Sequence, residues 1–352
     1  MKVRLPASSW VRAALVLPFL VATVVLLWWR GPDWGTVIDA FTFVHWWWIV
    51  VALGLNLLSV LVRAMAWRTV VNQALPDPHP LFPQVFSAFA VGLLANAVLP
   101  GRIGELARVA VLTRKQPRGR GDTARLVGTV VAHRLFDLIP AVLLLAYVLL
   151  TARVPRWAIV SLVLVTAVGA VLFVFALASA RLKPGSAQGV VGPVRRLWEM
   201  GRQGLEVMNA PLAAVVAALY QCVGWFFQLL AVYVAMRAFG IHAPLHAAGL
   251  VLLLMNVATI FPLWPGNIGL LQAAVALPLV SYGVAYARGF AYGLGLQVLE
   301  MSVGVGVGLL FLAREGLSFA MLKGIQEEGE ASPSLEETVE DDVPRPRARM
   351  PG

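Results

Sequence analysis

Cysteine, lysine and charge are what this sequence has least of. A single cysteine, Cys222, sits inside an apolar run, which excludes an internal disulfide and any cysteine-based metal site. Only 13% of the 352 residues are charged, against about 25% in an ordinary soluble domain, and 59% are hydrophobic against roughly 45–50%. A water-soluble fold cannot bury that apolar share, and the mean hydropathy of +0.79 comes from several long uncharged runs rather than one. The chain therefore reads as an all-α polytopic membrane protein. Its five histidines, His45, His79, His133, His242 and His246, follow no metal-ligand spacing, and His242 and His246 flank Pro244 in what reads as a short loop. No metal and no cofactor are expected.

Lysine is confined to Lys2, Lys115, Lys183 and Lys323, so arginine carries most of the formal net charge of +10. In a soluble chain such a surplus would suggest nucleic acid; between apolar runs it marks cytoplasmic loops, and no nucleic-acid partner is expected. The basic N-terminus (Lys2, Arg4, Arg12) precedes an apolar run from Ala13 to Trp29 that lacks a small-residue cleavage site and reads as a retained first span. Further runs of span length lie at about 46–67, 128–150, 157–179, 212–236 and 288–313, which predicts six full crossings. Trp28, Trp29 and Trp46 to Trp48 bracket the first outer loop as an aromatic belt. Eight acids between Glu327 and Asp342, followed by Arg345, Arg347 and Arg349, predict a disordered cytoplasmic tail at 316–352 behind a membrane domain at 1–315.

Two more apolar stretches, about 83–112 and 247–285, are broken at Pro100-Gly101 and at Pro262 with Pro265-Gly266. The basic segments Arg102–Arg125 and Arg181–Arg202 belong on the cytoplasmic face. With the N-terminus inside, a re-entrant hairpin at 83–112 keeps both segments there. The same count makes 247–285 enter from the opposite face and leaves the C-terminus cytoplasmic. Both breaks read P-G-x-I-G-x-L, from Pro100 to Leu106 and from Pro265 to Leu271. The expectation is an inverted repeat, with 46–67, 83–112 and 128–150 set against 212–236, 247–285 and 288–313. Repeats of that kind with broken helices build secondary transporters. The plainer alternative is that Pro and Gly merely kink packed helices.

An ionised side chain at the bilayer centre costs roughly 2.5–3.5 kcal/mol on insertion scales, so each needs a partner or a role. Arg102, Glu105 and Arg108 are spaced i, i+3, i+6 after the first break. They suit a phosphate or carboxylate clamp beside a helix terminus, or a cytoplasm-facing helix start with local ion pairs. Arg134 and Asp137, with His133 adjacent, fit a structural ion pair or a substrate contact. Arg63 and Arg68 with Trp67 end the second span, where snorkelling explains them and a lipid headgroup is within reach. Glu300, near the middle of the last run, is protonated, paired with an arginine of another helix, or a proton-coupling group. Asn256, Gln221, Gln228, Asn267 and Gln272 line the same cavity or hydrogen-bond between helices, and Gly289, Gly293, Gly304 and Gly308 predict close helix packing.

Four motifs then occur in order: the Arg63-Trp67-Arg68 cluster, GRxGExxR from Gly101 to Arg108, an ERxxD-like stretch from His133 to Asp137, and a PGGxGxxE-like stretch from Pro265 to Gln272. Together they resemble the lysylphosphatidylglycerol synthase membrane-domain, or flippase-like, family of bacterial and archaeal inner-membrane proteins, over about residues 10 to 315. This chain departs from the family pattern at His133 (usually Glu), Asn267 (usually Gly) and Gln272 (usually Glu). An acid required at 272 is thus missing, and Glu300 is the candidate substitute. The resemblance implies movement of aminoacylated phospholipids or polyprenyl-linked lipids between leaflets. It does not imply lipid synthesis, because the soluble aminoacyl-transferase domain of the best-known members has no room here.

The expected function is a lipid flippase that holds an anionic headgroup at Arg102, Arg108 and Arg134 between the two hairpins, and no enzymatic activity is expected. Membrane lipids are the expected partners, with a second copy of the chain or a lipid-modifying enzyme as further candidates. The alternatives are a membrane enzyme acting on a lipid phosphate and a non-transporting scaffold.

Overall fold

A computed structural model describes residue 21 and residues 32–75, 78–98, 103–115, 121–152, 154–181, 210–260 and 267–314. Apart from residue 21, the expected first span lies outside the described residues, as do the tail at 316–352, Arg102 and both Pro-Gly breaks. All regular structure among the described residues is helical.

Helix α1 (Trp34–Thr42) occupies the segment that reads as the first outer loop. Asp33 starts it, its Oδ1 accepting from the Gly35 amide at 2.9 Å and its Oδ2 from the Thr36 hydroxyl at 3.1 Å. At nine residues it is too short to stand out as an apolar run. There follow α2 (Trp46–Ala74), α3 (Phe82–Val98), α4 (Gly104–Lys115), α5 (Gly121–Thr151), α6 (Arg156–Arg181), α7 (Pro211–Ala238), α8 (Leu245–Ile260), α9 (Leu270–Val280) and α10 (Tyr286–Arg314). His246 belongs to the first turn of α8 rather than to a loop, because Pro244 sits where a helix begins and cannot break one there.

Helices α2, α5, α7 and α10 are long and apolar enough to cross a membrane, and the chain is a multi-pass membrane protein. Large side chains such as Leu150, Leu212 and Leu310 stand exposed on them, a surface that suits lipid and not water. At about 1.5 Å per residue, α3 is roughly 26 Å long and α4 roughly 18 Å, and α8 and α9 are shorter than α3, so none reaches across about 30 Å of hydrocarbon. Each short pair folds back on itself, α3 against α4 and α8 against α9.

The packing has the same plan in both halves. Helix α2 crosses α7 in the most extensive pairing of the fold. As α3 packs on α10, so α8 packs on α5; as α4 packs on α5, so α9 packs on α10; and α5 against α7 is matched by α10 against α2. The hydrogen bond from Ser59 Oγ to the Gly224 carbonyl and that from Arg63 to Gln228 each join residues 165 positions apart. The same interval separates the starts of α2 and α7, and of α5 and α10.

Of the four α10 glycines whose spacing predicts close packing, Gly289, Gly293 and Gly308 seat the short pairs, whereas a Cβ on Gly304 would meet Leu93 at an ordinary 3.7 Å. A Cβ on Gly289 or Gly293 would come within 3.0 Å of the Ala276 or Gln272 Cα on α9, and one on Gly308 within 2.4 Å of the Leu94 Cβ on α3. The backbone freed at the breaks finds side-chain partners. Asn96 Oδ1 accepts from the Gly104 amide at 2.9 Å, and Asn267 Nδ2 donates to the Ala258 carbonyl at 3.0 Å. Asn267 has φ 45°, in the left-handed region where glycine or asparagine is favoured. Asn267→Ala, which both strains that φ and removes the bond, should lower stability by about 1–3 kcal/mol, whereas Asn267→Gly loses the bond alone and should cost less. Thermal unfolding of the two purified variants checks the order.

Candidate functional site

The polar groups of the α2–α7 crossing lie along one stripe of each helix. On α2 these are Ser59 and Arg63; on α7 they are Gln221, Trp225 and Gln228. The three- and four-residue spacing puts each set on one face. Gly224 makes the crossing possible, since a Cβ there would meet the Arg63 side chain at 2.8 Å. Arg63 lies with its guanidinium 5.4 Å from the Trp225 ring centre and donates from Nη2 to Gln228 Oε1 at 2.5 Å. Gln228 in turn donates to Glu300 Oε1 on α10 at 3.3 Å. Glu300 is thus tied through one amide to an arginine of the other half of the chain.

A second cluster joins α4, α5 and α7. Arg134 donates to Glu105 Oε1 from Nε at 2.6 Å and from Nη2 at 2.5 Å, and its Nη1 lies 3.4 Å from Asp137 Oδ2. Asp137 Oδ1 also accepts from Gln221 Nε2 at 2.9 Å and from Trp225 Nε1 at 3.0 Å. Arg134 therefore neutralises two carboxylates at once, and the indole and amide hold Asp137 in place. His133, where the family pattern has Glu, is buried edge-on to Phe89.

Arg108 is different. It is 4% exposed, and its Nε and Nη2 have no hydrogen-bond partner among the described residues. Aromatic faces hold it instead: the guanidinium carbon lies 4.8 Å from the Trp67 ring centre and 5.7 Å from that of Phe89. Trp67 is itself fixed by its Nε1 donating to Thr129 Oγ1 at 3.1 Å. Cation–π contact at such distances contributes roughly 0.5–2 kcal/mol, well short of what two missing charged hydrogen bonds forfeit.

Of the residues expected at the site, Glu105, Arg108, Arg134 and Asp137 come together, and Glu300 joins them through Gln228 and Arg63. Arg102 lies outside the described residues. Gln272 and Asn267 serve the second break: Gln272 Oε1 accepts from the Gly269 amide at 2.6 Å, and its Nε2 donates to Gln297 Oε1 at 2.6 Å. Trp67 stands out in the sequence only as part of the Arg63-Trp67-Arg68 cluster, and Phe89 and Trp225 are not read as site residues, because aromatic residues in apolar runs look like core.

The family described as "Lysylphosphatidylglycerol synthase TM region" matches residues 13–308 of the chain. The UPF0104 membrane protein PH1989 of Pyrococcus horikoshii is 25% identical over 138 residues, which cover 39% of this chain and 40% of that protein. No solved structure matches the chain.

Proposed function

Because the chain belongs to the lysylphosphatidylglycerol synthase TM region family, we propose that it is a lipid flippase in which Arg108 receives the phosphate of an anionic phospholipid, an aminoacylated phospholipid or a polyprenyl-linked lipid. The carrying observation is the buried Arg108 side chain, whose Nε and Nη2 have no hydrogen-bond partner and which has no carboxylate in ion-pair contact among the described residues. A phosphate supplies two oxygens in the fork geometry of guanidinium, and its charge offsets the desolvated cation. Arg134 is already engaged by Glu105 and Asp137, so its part is to hold α4 against α5, and Arg102 precedes the same helix.

The two short pairs α3–α4 and α8–α9 act as re-entrant hairpins from opposite faces of an inverted repeat, beside six full spans. The matched packing of the two halves and the common interval of 165 residues support that reading. In the conformation described, Arg108 is sealed. Lipid entry requires the α3–α4 arms to part from Trp67, while the α2–α7 crossing stays as the pivot. The distribution of basic segments supports cytoplasmic termini, and the family resemblance implies the cytoplasmic membrane of a bacterium or archaeon. No lipid chemistry is assigned to it, and a second copy or a lipid-modifying enzyme is a candidate partner.

Reconstitution into vesicles carrying a fluorescent phosphatidylglycerol tests the reading. Wild type should equilibrate the label between leaflets, and Arg108→Gln should do so at least about tenfold more slowly. Equal rates would remove Arg108 from the mechanism. Covalently altered lipid in the same vesicles would favour an enzyme instead.

A further inference from the structure

A second cationic recess lies on the other side of α2 from Arg108. It has a volume of about 370 Å³ and is lined by Met65, Arg68, Thr69 and Asn72 of α2, Phe82 of α3 and Tyr220 of α7. Residues 65, 68, 69 and 72 follow helical spacing, so one face of α2 forms the wall. That face is separate from the one carrying Trp67, which turns toward Phe89, Thr129 and Arg108.

Two polar atoms of the residues that line this recess are buried behind its surface without a hydrogen-bond partner among the described residues: Nε of Arg68, a donor, and Oδ1 of Asn72, an acceptor. The two residues stand one turn apart. The equivalent positions of the second half, 165 residues on, are Tyr233 and Arg237. There the arginine is satisfied: Arg237 Nη2 donates to the Tyr233 hydroxyl at 2.6 Å, and its guanidinium lies over the same ring. One half of the repeat has thus closed this position with an internal contact, and the other has left a recess whose wall residues carry a donor and an acceptor unmatched among the described residues.

We propose that this recess is a separate binding site for a phosphate ester, in which the Arg68 and Asn72 side chains turn into the recess, Arg68 donating to a phosphate oxygen and Asn72 accepting from a hydroxyl of the esterified alcohol. Its volume is at the lower end of small-molecule sites, enough for a phosphate and a short polyol and not for acyl chains. Arg68 is six residues from the end of α2, roughly 9 Å along the axis, a depth that a headgroup in one leaflet or a free phosphate ester in water can reach. Met65, which is exposed, stands at the wall of the recess.

Native mass spectrometry of the full chain in detergent, titrated with dioctanoyl phosphatidylglycerol, tests this. Wild type is expected to bind two phospholipids, one at Arg108 and one at Arg68. Arg68→Gln should weaken one of the two at least about tenfold. Met65→Trp fills the recess from an exposed position without burying a charge, and should abolish the same one. Arg108→Met should remove only the other, so failure of the central site and failure of this one give different results. A parallel titration with glycerol 3-phosphate separates the sources: displacement of the Arg68-dependent lipid points to a soluble ester, and no displacement points to a lipid headgroup. If Arg68→Gln and Met65→Trp bind phosphatidylglycerol with wild-type stoichiometry and affinity, the recess holds no phosphate and the proposal is overturned.

Discussion

Arg108→Met is expected to raise the unfolding temperature of the protein while slowing lipid translocation by roughly a hundredfold. The two effects have one cause. In the described conformation the Arg108 side chain is buried, has no ion pair among the described residues and leaves Nε and Nη2 unbonded there, so it destabilises the resting fold. Methionine keeps the length of the side chain and packs its sulfur against Trp67 and Phe89, so removing the charge should gain about 1 kcal/mol or more. In the proposed mechanism the same change removes the bidentate phosphate partner, and two charge-assisted hydrogen bonds at about 1.5 kcal/mol or more each correspond to the loss in rate. Arg134→Met should move stability the other way. It leaves Glu105 and Asp137 without their shared cation, although the 51% exposure of the Arg134 side chain keeps the cost below that of a sealed pair. Melting curves of the two variants in one detergent decide the matter. A drop in both would mean that Arg108 is a packing residue.

Gly104→Val should be the most damaging single substitution near the site, costing about 3 kcal/mol or more and lowering the yield of monodisperse protein. A Cβ on Gly104 would lie 2.0 Å from the Gly92 carbonyl oxygen and 2.6 Å from Asn96 Oδ1. Because the first obstacle is backbone of α3, no rotamer change relieves it, and α4 must move away. That shift would also break the Asn96 bond to the Gly104 amide and carry Glu105 and Arg108 with it. Gly306→Ala is the matched control: its Cβ meets nothing within 4 Å, and alanine favours a helix interior by about 0.5–1 kcal/mol. The control should melt at or above wild type. A Gly104→Val protein that melts with wild type would show that the arms of the hairpin stand apart.

Much of this molecule was legible in its residue order. The boundaries of α7 and α10 follow their apolar runs to within a few residues, whereas α2 continues to Ala74 and α5 begins at Gly121, beyond the apolar limits. Helix hydrogen bonds continue past the hydrocarbon edge, so hydropathy alone underestimates helix length. The packing glycines of α10 were readable because small residues at four-residue spacing have one use among apolar helices. Helix α1 was not, since its signal is a single cap at Asp33.

Composition and charge by themselves determined that this is a helical membrane protein with two interrupted segments and a few arginines and acids in apolar surroundings. They did not determine which arginine is paired. Arg134 and Arg108 look alike in the chain, each three residues from an acid, at Asp137 and Glu105. Glu105 turns to Arg134 because α4 packs on α5, 29 positions later, and Arg63 reaches Gln228 because α2 crosses α7, 165 positions later. Charge balance in a low-dielectric interior is settled over a few ångströms in space. Only the way the helices are rotated against one another left Arg108 between two aromatic rings with no ion-pair partner among the described residues.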